Sequence, residues 1–159
     1  MEIRGLFAYS DNCRRLLRDT LSGCPHVFDR PFETTSAWRT IRLLLAHSIG
    51  AEERWITMRI GGQALPSDYE ERAATTPAAL FADADAVRAV TYRFLDGLEP
   101  GGLVRVVPVS LTDWRGDLTV EQILFHIVNH ENYHRGQIVM TLQRFGLDPP
   151  NFDYVFLHD

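Results

Sequence analysis

TVEQILFHIVNHENYHRGQIVMTLQRFG, residues 119–146, carries both a helix with marked ends and a histidine pair. Thr119 and Gln122 have the spacing of a capping box, in which each side chain satisfies a free backbone N–H at the helix start. Phe145-Gly146 closes the run, and Pro149 and Pro150 bar any continuation. A helix turns ~100° per residue, so side-chain directions follow by arithmetic. With Ile127 as origin, Val120, Ile123, Ile138, Leu142 and Phe145 all fall within roughly 60° of it. That arc is the predicted buried stripe.

Three more helices read the same way. From about Glu2 to Leu21, Ile3, Leu6, Phe7, Ser10, Cys13, Leu17 and Leu21 recur at three- and four-residue steps. A second helix spans about Ser36 to Ile60 and stops at Gly61-Gly62. A third begins at Thr76-Pro77, a capping residue followed by proline at the first helical position, and runs to Gly97. Between the third and fourth, Leu103–Trp114 is dense in β-branched residues, while Pro108 keeps it out of a central sheet. The expected fold is all-α: a single four-helix-bundle domain over 1–159. Long crossover connections lie near 61–76 and 97–118, with a short extended segment or hairpin between helices three and four.

Composition removes several function classes. The net charge is −5 and all 16 basic side chains are arginine. These arginines are scattered among acids (Arg14, Arg15 and Arg18, then Arg39 and Arg42), which reads as solvated faces rather than a nucleic-acid surface. No run approaches the ~18–20 apolar residues of a membrane span. The N-terminal residues lack the apolar core of a secretory signal, and a reducing cytoplasm is the expected location. Cys13 lies on an apolar stripe, and Cys24-Pro25-His26 reads as a turn.

The chemistry is carried by histidines. On the fourth helix His134 falls about 20° from Ile127 and His130 about 60°, so both point inward. On the second helix, with Leu44 as origin, Ala51, Trp55 and Met58 lie within about 40° and His47 at about 60°. Burying paired imidazoles without a partner is costly. Two on one stripe, with a third from another helix, therefore point to a divalent metal. Three neutral nitrogen ligands leave one coordination position open for water or substrate, the arrangement of catalytic sites.

LLLAHSIGAEERWI (43–56) and LTVEQILFHIVNHENYHRGQIVMTLQRFGLDPP (118–150) resemble the DinB superfamily, the DinB/YfiT-like metalloenzymes. The resemblance covers nearly the whole chain, including Tyr9 and Asn12, and NHxxxHRGQ is its most specific part. It implies a four-helix bundle, commonly a homodimer, that binds zinc or nickel. By motif position the implied ligands are His47, His130 and His134. It further implies a small-molecule substrate and a low-molecular-weight thiol cofactor, because related proteins include thiol-dependent S-transferases and isomerases using bacillithiol or mycothiol.

Residues 130–134 also read H-E-x-x-H, the zincin pattern in which the glutamate is the general base. Glu131 falls about 40° from Ile127, on the side away from His130, so it is the candidate catalytic base of a metal-dependent hydrolase. The alternative is a carboxylate paired with arginine. The downstream histidine of the extended protease motif is absent, and the strands that would align a peptide are missing. A non-catalytic metal-binding stress-response bundle is the reading from another class. Gly136 costs a helix about 0.5–1 kcal/mol and is expected to admit another backbone, with Arg135 and Gln137 securing a helix or dimer contact. His126, near the stripe boundary, reads as a surface residue or as the orienter of a ligand. Trp55, Trp114 and Tyr133 read as core packing, with the lining of a substrate pocket as the alternative.

Overall fold

The computed structural model describes residues 2–157. It is mostly helical, with one small sheet. In chain order the elements are α1 (Ile3–Gly23), α2 (Ile41–Glu53), α3 (Tyr69–Arg72), α4 (Pro77–Asp96), β1 (Val106–Ser110), β2 (Arg115–Thr119) and α5 (Val120–Arg144). The long helices pack in a ring: α1 lies against α4 and α5, and α2 against the same two.

The capping signals act as written. The Thr119 Oγ1 accepts from the Gln122 backbone N–H at 3.2 Å, and the Gln122 side chain accepts from the Thr119 N–H at 2.8 Å. Thr76 caps α4 by accepting from Ala79, with Pro77 in the first turn. Gly146 adopts φ +80° after α5, and the next N–H, of Leu147, reaches back to the Leu142 carbonyl at 3.0 Å. That left-handed stop is the glycine role the sequence predicts.

Helix α2 starts later than expected, at Ile41 rather than Ser36. Thr34 and Ser36 accept from backbone N–H groups two residues ahead, of Ser36 and Trp38. Such local bonds compete with helix formation. Thr40 then supplies the cap, accepting from Leu43. Past Glu53 the helix widens into a π-helical turn, Arg54–Ile60. Within the predicted 61–76 connection sits a short helix that periodicity does not signal, α3.

The extended segment is a hairpin, with Val107 opposite Leu118 and Pro108 opposite Asp117. Both of its strands are edges, so a proline costs it little. Its second strand, Arg115–Thr119, carries no sequence signal because RGDLT has no apolar alternation.

Two apolar cores occupy the two ends of the molecule. One gathers Leu17, Leu21, Ile41, Leu44, Leu80, Phe81, Ile138 and Leu142. The other gathers Phe7, Trp55, Ile56, Val107, Val109, Ile123 and Ile127. Between them along each long helix sit buried polar residues: Ser10 and Arg14 on α1, Glu52 on α2, Arg88 and Thr91 on α4, Glu131 on α5. Arg14 is therefore a core residue, not part of a solvated face, because two carboxylates in the interior hold it. No helix among the described residues is long and apolar enough to cross a membrane.

Candidate metal centre

Helices α2 and α5 bring His47, His130 and His134 together. One ring nitrogen from each lies within 4.8 Å of the others, an arrangement able to hold a metal ion. The Nε2 atoms of His130 and His134 are 3.2 Å apart. Two nitrogens bound tetrahedrally to one ion at ~2.0–2.1 Å would stand about 3.3 Å apart, so the pair needs little movement. The one-turn spacing of the two histidines on α5 produces this proximity.

Partners at the far side of two rings set which nitrogen faces the centre. His47 Nδ1 donates to the Glu70 Oε1 at 2.8 Å. His134 Nδ1 donates to the Gln137 Oε1 at 2.7 Å. Each bond leaves an Nε2 lone pair for the cluster, the usual outer partnership of metal-binding histidines. Trp38 stacks on His47 with centroids 4.5 Å apart, and the Tyr133 ring meets His134 edge-on at 5.1 Å.

Burial is the main force on the two imidazoles of α5. It pushes His130 down to about 3, with the neighbouring His134 and His47 adding to the shift. His134 is lowered for the same first reason, against the hydrogen bond it donates to Gln137, which opposes the shift. Kept neutral at physiological pH, His130 and His134 present lone pairs rather than charge, which suits a divalent cation. The donor set fits a metal.

Glu131 is not brought to this cluster. Its carboxylate lies on the other flank of α5, where it accepts from Arg14 Nε at 2.9 Å, Arg88 Nη2 at 3.0 Å and Ser10 Oγ at 2.7 Å. Burial alone would raise this carboxyl, but Arg14, Arg88 and Arg135 outweigh it and hold it at about 2. So low a value makes a poor general base at neutral pH. The arginine-paired carboxylate is the arrangement observed, and the base role foreseen from H-E-x-x-H has no geometric support. Glu52 completes the network by accepting from Arg14, Arg88 and Thr91.

The remaining sequence expectations divide. His126 is exposed and outside the three-nitrogen set, although its ring stands 5.7 Å from that of His130 and 5.0 Å from Trp55. Trp55 is core, whereas Trp114 and Tyr133 are 44% and 63% exposed. Trp114 instead covers Gly116 in the hairpin, where any Cβ would meet its ring at 2.6 Å. Arg135 is buried against the Tyr9 and Phe152 rings rather than presented at a surface. Around Gly136 nothing lies within 4 Å of the point a Cβ would occupy, so no backbone among the described residues makes use of it. Gln137 serves His134, a role its three-residue spacing allows one to read. Glu70, Arg54 and Trp38 escape sequence reasoning because they lie in connections or at a helix edge with no periodic signal.

No curated protein gives a significant match. Among solved structures, the chain is similar to a DinB-like protein from Bacillus cereus, with TM-score 0.63 and 17% identity over 91% of each chain. At that identity the likeness is one of fold. The DinB family model matches residues 9–159. With the fold, the histidine cluster and this match in agreement, the chain belongs to the DinB family.

Proposed function

We propose that this protein is a divalent-metal enzyme in which His47, His130 and His134 hold zinc or nickel, and that it transfers a low-molecular-weight thiol to a small electrophile. The setting is a four-helix bundle with crossover connections, working as a cytoplasmic homodimer. The observation that carries the reading is the convergence of three ring nitrogens within 4.8 Å, two of the rings being oriented from behind by Glu70 and Gln137. When bound, a divalent cation supplies Lewis acidity, lowering the pKa of a thiol or water at its open position.

The chain's own residues orient and shield. Glu70 and Gln137 hold the Nδ1 protons of His47 and His134. Trp38 and Tyr133 cover two of the rings. Neither neighbouring carboxylate is free to take a proton from a nucleophile: Glu131 is held by arginines and Glu70 by His47 and Arg54. This favours a nucleophile that is acidic enough to ionise without a protein base, as a thiol is. Hydrolysis by acidified water is the second reading. For the dimer, the exposed Phe125, Tyr133 and Met140 on α5 supply apolar surface.

Elemental analysis of the purified protein tests the site: about one zinc or nickel per chain is expected, lost in His130→Ala. Assays of an electrophile with and without added thiols test the reaction. Thiol-dependent consumption supports transfer, whereas ester cleavage indifferent to thiol replaces it with hydrolysis.

A further inference from the structure

A carboxylate in the connection between α2 and α4 stands behind His47, and its geometry is more constrained than that of any other partner in the cluster. Glu70 lies on α3 and is half-buried. Arg54 grips it with two bonds, Nη1 to Oε2 at 2.9 Å and Nη2 to Oε1 at 3.0 Å. A carboxylate held in this way is ionised and can only accept. The 2.8 Å contact with His47 therefore has one polarity: the proton sits on Nδ1, and the Nε2 lone pair is turned to the cluster. Gln137 behind His134 is different in kind: it is a neutral amide that turns its oxygen to the ring while its nitrogen donates to the Tyr133 hydroxyl.

The delivery of Glu70 is built into α2. Gly50 lies where α3 crosses: a Cβ there would stand 2.6 Å from the Tyr69 Cβ and 3.0 Å from Arg54 Nη1. Glycine is the one residue that admits this approach without moving the backbone. Tyr69, buried beside it, is tied to Asp83 of α4 through its hydroxyl at 3.3 Å. The π-helical turn that begins at Arg54 changes the helical register at the residue that must reach Glu70. Such turns recur where a helix serves a site.

We infer that Glu70, clamped by Arg54 and admitted by Gly50, is a positioning residue that fixes the tautomer and orientation of His47 and so sets the cation affinity of the centre. This rests on the metal reading for its consequence, but the tautomer is a property of the chain alone. Outer partners of this type typically change metal affinity 10–100-fold when removed.

The experiment has two readouts on the purified full-length chain. The first is long-range ¹⁵N–¹H correlation of the His47 ring in metal-free protein, at a pH above histidine titration. Wild type is expected to show a protonated Nδ1 and a lone pair on Nε2. Glu70→Ala should mix the two tautomers, and Glu70→Gln, whose amide oxygen can still accept, should largely restore the wild-type signal. The second is zinc affinity measured by competition with a chromophoric chelator, expected to weaken 10–100-fold in Glu70→Ala and less in Glu70→Gln. Gly50→Ala reaches the same contact from the other side and should shift both readouts in the same direction. Thermal unfolding of the metal-free variants identifies any that fail to fold, and Glu70→Gln keeps the charge-neutral isostere as the folded comparison. A wild-type ring protonated on Nε2, or a tautomer unchanged in Glu70→Ala, overturns the assignment. If the tautomer shifts as expected while wild type takes up no zinc, Glu70 still orients His47 and the metal reading is what fails.

Discussion

On one flank of α5, Glu131 meets Arg14 and Arg88, with Glu52 across from it; on the other flank, His130 and His134 meet His47. Both groups are polar, both are buried or nearly so, and they share a single helical turn. The first is closed: three guanidiniums (Arg14, Arg88 and Arg135) face three carboxylates (Glu52, Glu131 and Asp11), and Ser10 and Thr91 donate to Glu131 and Glu52 as well. The second is open, because three nitrogens converge and none brings a cation of its own. Buried charges hold a fold in register only when every partner is present. Converging nitrogen donors hold little by themselves and invite a ligand. One helix thus supports structure with one face and chemistry with the other.

Removing one member from each group should separate them most sharply. Glu131→Ala leaves Arg14 and Arg88 sharing the buried carboxylate of Glu52, with positive charge in excess, and should cost about 3–5 kcal/mol in urea unfolding. His134→Ala in metal-free protein gives up two hydrogen bonds, to Gln137 and His130, and should cost about 1–3 kcal/mol. Similar losses at both positions would erase the distinction.

Acid should reach the two groups in different windows. His130 has a folded value near 3 against 6.5 unfolded, so the unfolded chain binds the proton more readily. Its contribution is full above about pH 6.5 and drains as the pH falls toward 3. Glu131 is held at about 2 against 4.5 unfolded, so its contribution persists above about pH 4.5 and is lost toward 2. Urea midpoints against pH should therefore begin to fall near neutrality in metal-free wild type, and His130→Ala should shrink that upper portion to the share of His134, which burial also lowers, while leaving the lower one.

The smallest expected effect sharpens the boundary of the site. Gly136 sits just beyond the histidine pair with open space at its Cβ position. Gly136→Ala should stabilise the chain by about 0.5–1 kcal/mol, through helix propensity alone. A loss instead, accompanied by dissociation in sedimentation, would mean that a second copy packs there.

The start of α4, both ends of α5 and the histidine pair on α5 are legible because each is local: a cap lies within four residues, and a buried stripe repeats within a turn. The arithmetic that puts His130 and Glu131 on opposite sides of Ile127 already contains the division of α5. What it does not contain is the partner of Glu131. Arg14 and Arg88 are both distant in sequence from Glu131, and an arginine on a helix carries no mark of whether it faces water or a carboxylate. Glu70 escapes for a related reason. It lies on a helix of one turn, where no periodicity can accumulate, and is placed by a glycine whose use appears only when α3 is packed against it.

The ionic layer at mid-height divides the oily interior into two compartments, one under the hairpin and one near Leu80 and Leu142. A change of side-chain volume in either compartment stops at that layer, since its members cannot shift without leaving a charge unmatched. Substitutions at the two extremities can therefore accumulate independently during divergence, while the middle band stays under joint constraint.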